Sequence, residues 1–324
     1  MRLLVTGGAG FIGANFIRYL QKNDPSDGCV CLDKLTYAGE RERLQEEERS
    51  GFCKFVLGDI CDQTLVEDIL KKEKITAVIN FAAESHVDRS IENPTLFLKT
   101  NVLGTQTLLN ACLRVGVERF HQVSTDEVFG DLPLENPDLL FSESSPIKPS
   151  SPYSASKAAA DLLALAYHRT YGLCVTVSRC SNNYGPFQHS EKLIPSVIFR
   201  ALKGQEIPVY GTGKNVRDWL YVEEHCEALA MILRRGKGGE TYNVGGKSER
   251  SNLQVVKKIC EILGVKGKIR FVEDRKGHDL RYAIDPSKMW WDFGWLPKTE
   301  FEEGLTKTVE WYRNRILRKD GQRE

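Results

Sequence analysis

Leu3-Leu4-Val5, a short apolar strand, runs straight into Thr6-Gly7-Gly8-Ala9-Gly10-Phe11-Ile12-Gly13, and few chain paths place four glycines between a buried strand and a helix. Two spacings overlap in that run, Gly8-x-Gly10-x-x-Gly13 and Gly7-x-x-Gly10-x-x-Gly13. A helical pattern follows, with Phe16, Ile17 and Leu20 on one face. Glycines at such a turn let backbone N–H groups approach a pyrophosphate at the helix start. A second strand, Cys29-Val30-Cys31-Leu32, ends in Asp33, 20 residues after Gly13. A carboxylate there hydrogen-bonds an adenosine ribose diol and repels a 2′-phosphate. The reading is a site for NAD rather than NADP.

The alternation continues. Lys54-Phe55-Val56-Leu57 reads as a third strand, followed by Gly58-Asp59-Ile60. Asp59 is placed either to meet the adenine edge or to cap the helix from Asp62 onward. Ala77 to Phe81 is a fourth strand, and the small Ala82 and Ala83 after it leave room for a flat ring. One long helix is expected from about Pro94 to Val115, with proline in its first turn. Phe120 to Val123 is a fifth strand. Strands and helices alternating at this length predict an α/β chain with a doubly wound, Rossmann-type parallel sheet. At 324 residues the chain exceeds a usual single core. The expected division is a nucleotide-binding domain with the catalytic residues over 1–182 and a smaller C-terminal substrate-binding α/β lobe over 183–324, the chain crossing between them. The stretch from Phe301 to Ile316 reads as an amphipathic helix.

Two constellations carry chemistry. Ser124-Thr125-Asp126-Glu127 stands at the carboxyl end of the fifth strand, where open α/β sheets bind ligands. Two adjacent carboxylates are costly to bury without a purpose. The other reading makes them turn residues at a solvated strand end. Tyr153 and Lys157 stand at i and i+4 in the Ala-rich run 151–160, so they share a helix face. A phenol is a poor base at neutral pH. A nearby ammonium and a cationic nicotinamide lower its pKa, and Tyr153 then takes a proton from an alcohol as hydride leaves the carbon. The Ala-rich face also suits close helix packing, as in a dimer contact. Further on, Arg217 in Val216-Arg217-Asp218-Trp219-Leu220-Tyr221-Val222 suits bidentate phosphate recognition.

With 45 basic and 44 acidic residues, the balance calls for neither nucleic acid nor an anionic membrane. No apolar run approaches the ~20 residues of a membrane span. The amino end enters a strand at once, leaving no room for a signal peptide. Nine scattered cysteines, none in a CxxC pair, read as free thiols of a cytoplasmic protein and not as a zinc site.

The chain resembles the extended short-chain dehydrogenase/reductases, and within them the dTDP-glucose 4,6-dehydratase family. The matching runs include Asp33 to Gly39, Phe81 to Ser90, Ser124 to Val128, Tyr153 to Lys157, Cys180 to Pro186, Arg217 to Val222 and Gly277-His278-Asp279. The Ala-Ala-Glu-Ser-His-Val-Asp-Arg-Ser and Thr-Asp-Glu runs are more specific than the glycines. The resemblance implies an NAD-dependent hydro-lyase that turns dTDP-glucose into its 4-keto-6-deoxy derivative, acting as a homodimer. It implies that Gly7, Gly10, Phe11, Ile12, Gly13, Asp33, Lys34, Leu35, Thr36, Asp59, Ile60, Phe81, Ala82, Ala83, Ser85, Thr100, Tyr153, Lys157 and Asn183 surround NAD. Around the nucleotide-sugar it implies Ser85, Thr125, Asn182, Lys192, Leu193, Pro208, Val209, Tyr210, Arg217, Asn252, Arg275 and His278. Tyr153 is then the base at O4, Glu127 the base at C5, Asp126 the acid for the departing C6 hydroxyl, and Thr125 a partner of O4. The rivals are a UDP-glucose dehydratase or UDP-sugar 4-epimerase on the same scaffold and a non-catalytic NAD-binding subunit. Phe129 departs from the family's usual tyrosine, and Lys276 from its usual proline.

Overall fold

The computed structural model describes residues 1–274 and 277–320, with side chains to 316. The strands in chain order are β1 (Arg2–Thr6), β2 (Gly28–Asp33), β3 (Cys53–Leu57), β4 (Ala77–Asn80), β5 (Arg119–Thr125), β6 (Cys174–Cys180), β7 (Asn182–Tyr184), β8 (Glu206–Tyr210), β9 (Val216–Tyr221), β10 (Thr241–Val244), β11 (Glu249–Ser251) and β12 (Lys268–Val272). Seven of them form a parallel sheet in the order β10-β6-β5-β4-β1-β2-β3. The order reverses between β1 and β4, which opens a crevice at their carboxyl ends.

Alternating side chains of each strand supply two cores, one per sheet face. Leu3, Val5, Cys29, Cys31 and Ile79 pack on α1 (Phe11–Asn23) through Phe16, Ile17 and Leu20. Leu4, Val30, Leu32, Val78 and Phe120 face the other way, onto α2 (Gln63–Lys72), α3 (Gly104–Val115) and α4 (Pro152–Tyr171). Burial on both faces is why these strands read as unbroken apolar runs.

The long helix expected from Pro94 is present but not uniform. An α-helical turn at Pro94–Phe97 passes into a π-helical turn at Leu98–Leu103 before α3. There Asn101 is buried, its Nδ2 donating to the Glu84 carbonyl at 3.0 Å and to Ser156 Oγ at 2.8 Å. Its Oδ1 accepts from the Glu84 N–H at 2.9 Å. A π turn in a long helix commonly marks a functional site. α4 begins at a reciprocal Ser151/Ser154 capping box with Pro152 in its first turn, and Gly172 ends it in a left-handed cap.

The second lobe has its own core. β7, β9 and β11 form a small sheet, and β8 pairs with β12. α5 (Leu193–Leu202), α6 (Asn252–Leu263) and α7 (Phe301–Asp320) cover them through Ile194, Ile198, Val255, Ile259, Leu305 and Val309. The chain does not stay in that lobe after residue 183. The helix Val222–Arg235 packs Cys226, Leu229 and Leu233 into the first core, and β10 extends the principal sheet beside β6.

Candidate active site

A cavity of about 570 Å³ lies along the carboxyl ends of the central strands, from the glycine turn to Tyr153. Gly7 has φ +67°, and a Cβ there would stand 2.6 Å from the Ala82 nitrogen. A Cβ on Gly13 would stand 2.5 Å from the Gly7 carbonyl oxygen. A Cβ on Gly8 would stand 2.6 Å from Cys31 Sγ and 2.8 Å from Ile17 Cδ1, side chains rather than backbone. Of the two overlapping spacings, Gly7-x-x-Gly10-x-x-Gly13 is the stricter, because Gly7 combines a positive φ with a backbone neighbour. Asp33 is fixed by the Ala9 N–H at 3.0 Å and the Leu35 N–H at 2.8 Å, and burial pushes its carboxyl up. Asp62, not Asp59, caps α2, accepting from the Leu65 N–H. Asp59 instead pairs with Lys34 at 2.7 Å and accepts from the Cys61 N–H at 2.9 Å. A turn closed to any side chain, a helix start and an acid at the end of β2 fit a dinucleotide.

At the other end, β5 runs through Thr125, and Asp126–Phe129 forms one 3₁₀ turn. The solvated-turn reading of Asp126 is corrected here: it is in a turn, but 1% exposed. Thr125 Oγ1 donates to Asp126 Oδ1 at 3.3 Å and accepts from the Glu127 N–H at 3.3 Å. Burial, then the charges of Glu127 and Asp218, push the Asp126 carboxyl well above its ordinary value, against the opposing pull of Arg217.

Tyr153 and Lys157 are both buried, on the same stretch of α4. Lys157 Nζ donates to the Val123 carbonyl at 2.7 Å. Burial lowers its pKa, and Asp161 on the next turn opposes that. The Tyr153 phenol is pushed well above its ordinary value by burial and by Glu127, Cys180 and Asp126, with a Thr125 hydrogen bond pulling the other way. Lys157 bonds a backbone carbonyl and the phenol lies among carboxylates, so burial and these charges oppose the lowering expected from the ammonium and a cationic nicotinamide together.

The cavity wall brings together Gly7, Gly10, Phe11, Ile12, Gly13, Asp33, Lys34, Thr36, Asp59, Ile60, Phe81, Ala82, Ala83, Ser85, Thr100, Thr125, Asp126, Glu127, Tyr153, Lys157, Asn182, Asn183 and Lys192. Leu35 lies behind it, packed against the first core. Leu193, Pro208, Val209, Tyr210, Arg217, Asn252 and His278 lie off that wall, in and around the second lobe. Arg217 is buried and donates to the carbonyls of Val216 and Asp279, its guanidinium 4.4 Å over the Tyr282 ring. His278 Nδ1 lies 2.6 Å from Asp274 Oδ1. Arg275 and Lys276 fall outside the described residues. Sequence reasoning missed Tyr37, Arg89, Gln188, His189 and Glu191 on the wall. It also missed Asn101, whose partners stand 17 and 55 residues away. Tyr37 and Arg89 carried a signal, lying in the matching runs 33–39 and 81–90.

Residues 4–308 match the model of a family described as GDP-mannose 4,6 dehydratase. The chain belongs to that family. Among curated family members, a dTDP-glucose 4,6-dehydratase of Escherichia coli is 49% identical, over 97% of this chain and 94% of that one. One of Mycobacterium tuberculosis is 50% identical over the same shares. The crystal structure of DesIV, a dTDP-glucose 4,6-dehydratase from Streptomyces venezuelae with NAD bound, superposes with TM-score 0.94 at 47% identity, covering 98% of both chains. A Thermus thermophilus UDP-glucose 4-epimerase in complex with NAD reaches 0.89 at 33% identity, covering 97% of this chain and 99% of that one. The fold is thus common to dehydratases and epimerases.

Proposed function

We propose that this chain is an NAD-dependent dTDP-glucose 4,6-dehydratase, releasing water and a 4-keto-6-deoxy sugar nucleotide. The observation that carries the reading is the pair of carboxyls at the end of β5 near Tyr153, one of them buried with its pKa raised well above the ordinary value. Bound NAD supplies the acceptor for the C4 hydrogen and then its donor to C6. The chain's own residues move the protons. Tyr153 takes the proton of the C4 hydroxyl, with Thr125 on the same oxygen. A carbonyl at C4 acidifies C5–H, and Glu127 removes that proton. Asp126 gives its proton to the C6 hydroxyl, which leaves as water. One fold thus carries an acid and a base side by side because their surroundings differ. Lys157 orients the nicotinamide ribose from the Tyr153 face of α4. The residues 208–210, 217, 252, 275 and 278 receive the nucleotide end.

The chain acts as a homodimer in the cytoplasm. Leu98, Leu103 and Leu162, each more than half exposed, lie on the adjacent helices 94–115 and α4, an apolar face suited to pairing with its copy. All nine cysteines are free, as in a reducing compartment. The test uses dTDP-glucose deuterated at C4. The label is expected in the C6 methyl group of the same molecule, with solvent hydrogen at C5. Label returned to C4 with C6 still an alcohol refutes dehydration, and UDP-glucose turned over equally well refutes the base assignment.

A further inference from the structure

Three segments distant in sequence meet along one rim of the large cavity. Tyr37 follows β2, His86 and Arg89 belong to the turn and short helix after β4, and His189 to Lys192 lead into α5. Glu191 stands at their centre. Its Oε2 lies 3.5 Å from Arg89 Nη2, 3.6 Å from His86 Nε2 and 3.7 Å from His189 Nδ1. The Arg89 guanidinium stacks 3.8 Å over the Tyr37 ring, and His189 meets the same ring edge-on at 5.5 Å. Lys192 Nζ donates to the Ser85 carbonyl at 3.2 Å. Burial lowers the His86 pKa, with Lys192 and Arg89 acting in the same direction and Glu191 against it.

The loop that carries Glu191 is also held from outside. Tyr312 of α7 donates to the Gln188 carbonyl. The Phe187 ring lies 4.2 Å from the Arg18 guanidinium and 4.7 Å from the Trp311 ring. Phe187 takes φ +70°, a conformation that bulky residues rarely adopt unless their surroundings impose it. The loop is therefore a wall in a fixed shape, tied inward through His189, Glu191 and Lys192.

We propose that Glu191 is a positioning residue that closes this rim over NAD, joining the Tyr37 and Arg89 side of the cavity to the segment entering the second lobe. The inference rests on the dehydratase reading, in which one dinucleotide accepts hydrogen from C4 and returns it to C6. Escape of the reduced form midway strands a keto sugar, so a tie across the rim serves this reaction more than one that releases its cofactor each turnover. The charged tie is the partly exposed Arg89–Glu191 pair, weak alone, so it holds dissociation down by about fivefold rather than by thousands.

The experiment follows exchange of isotopically labelled NAD from the purified protein into excess unlabelled NAD, without sugar. Glu191→Gln is expected to release label about fivefold faster than wild type, and Glu191→Asp to fall between them. Glu303→Gln, which removes a remote exposed pair with Lys307, serves as control and exchanges as wild type does. The cofactor-free proteins should melt together, which separates a lost tie from a damaged fold. Release from Glu191→Gln within about twofold of wild type overturns the proposal, as does equal acceleration by Glu303→Gln. A wild type that retains NAD but makes no 6-deoxy product refutes the dehydratase reading, and the exchange rates still decide the tie.

Discussion

Replacing Asp126 by asparagine should separate stability from chemistry, because burial in the native fold favours the protonated form of this carboxyl. Its folded pKa is raised, by burial first and by the charges of Glu127 and Asp218 next. The unfolded chain gives it an ordinary value of about 3.9. Between those two values the native state binds a proton that the unfolded state does not, so stability falls as pH rises through the window. Each pH unit within it removes about 1.4 kcal/mol. Below the unfolded value both states are protonated and the penalty vanishes. Asparagine copies the shape of the protonated acid and carries no such penalty. Asp126→Asn should therefore be more stable than wild type near neutral pH, by up to a few kcal/mol at that slope, and the gap should close below about pH 4. Urea unfolding at several pH values reads the effect. In the same protein, elimination should slow by roughly 10²–10⁴, since asparagine has no proton to give. In single turnover, reduced nicotinamide should still appear and then persist. A variant less stable than wild type by the same amount at every pH refutes the protonated carboxyl. Unchanged elimination refutes its role as the acid.

Two further predictions follow from the site and its support. Asp33→Ala should weaken NAD binding and narrow the preference over NADP, because the only carboxylate fixed by Ala9 and Leu35 at the ribose position is lost; equal wild-type affinity for the two dinucleotides in titrations contradicts the assignment. Asp161→Asn should cost about 3–5 kcal/mol in urea unfolding, because it leaves the Arg179 guanidinium, now 3.1 Å from Asp161 Oδ2, buried without its counter-charge; a loss under about 1 kcal/mol means that this pair is better solvated than its burial suggests.

What the chain announces locally, it announces well. The glycine turn, Asp33 after β2, and Tyr153 with Lys157 were legible because each depends on a few neighbouring residues: a turn too tight for a Cβ, a strand end, one helical turn. The apolar runs of β1, β2 and β4 were legible because a strand buried on both faces needs no alternation. The Ala-Ala-Glu-Ser-His-Val-Asp-Arg-Ser and Thr-Asp-Glu runs carried the family without any structure.

Only the tertiary fold decided the rest, because it depends on partners far away in sequence. The overlapping glycine spacings were resolved by the Ala82 backbone, which crowds Gly7 from across the sheet. The π turn at Leu98–Leu103 turns Asn101 to Glu84 and Ser156, neighbours no periodicity reveals. β10 joins the first sheet although it lies deep in the second half, since β6 offers it a free parallel edge. The protonation states were the least legible of all. Tyr153 beside Lys157 in sequence suggested a lowered phenol, yet the fold aims the lysine at Val123 and sets the phenol among Asp126 and Glu127. Sequence names the ionisable groups, while burial and the direction of each charge, which set their pKa values, exist only once the chain has folded.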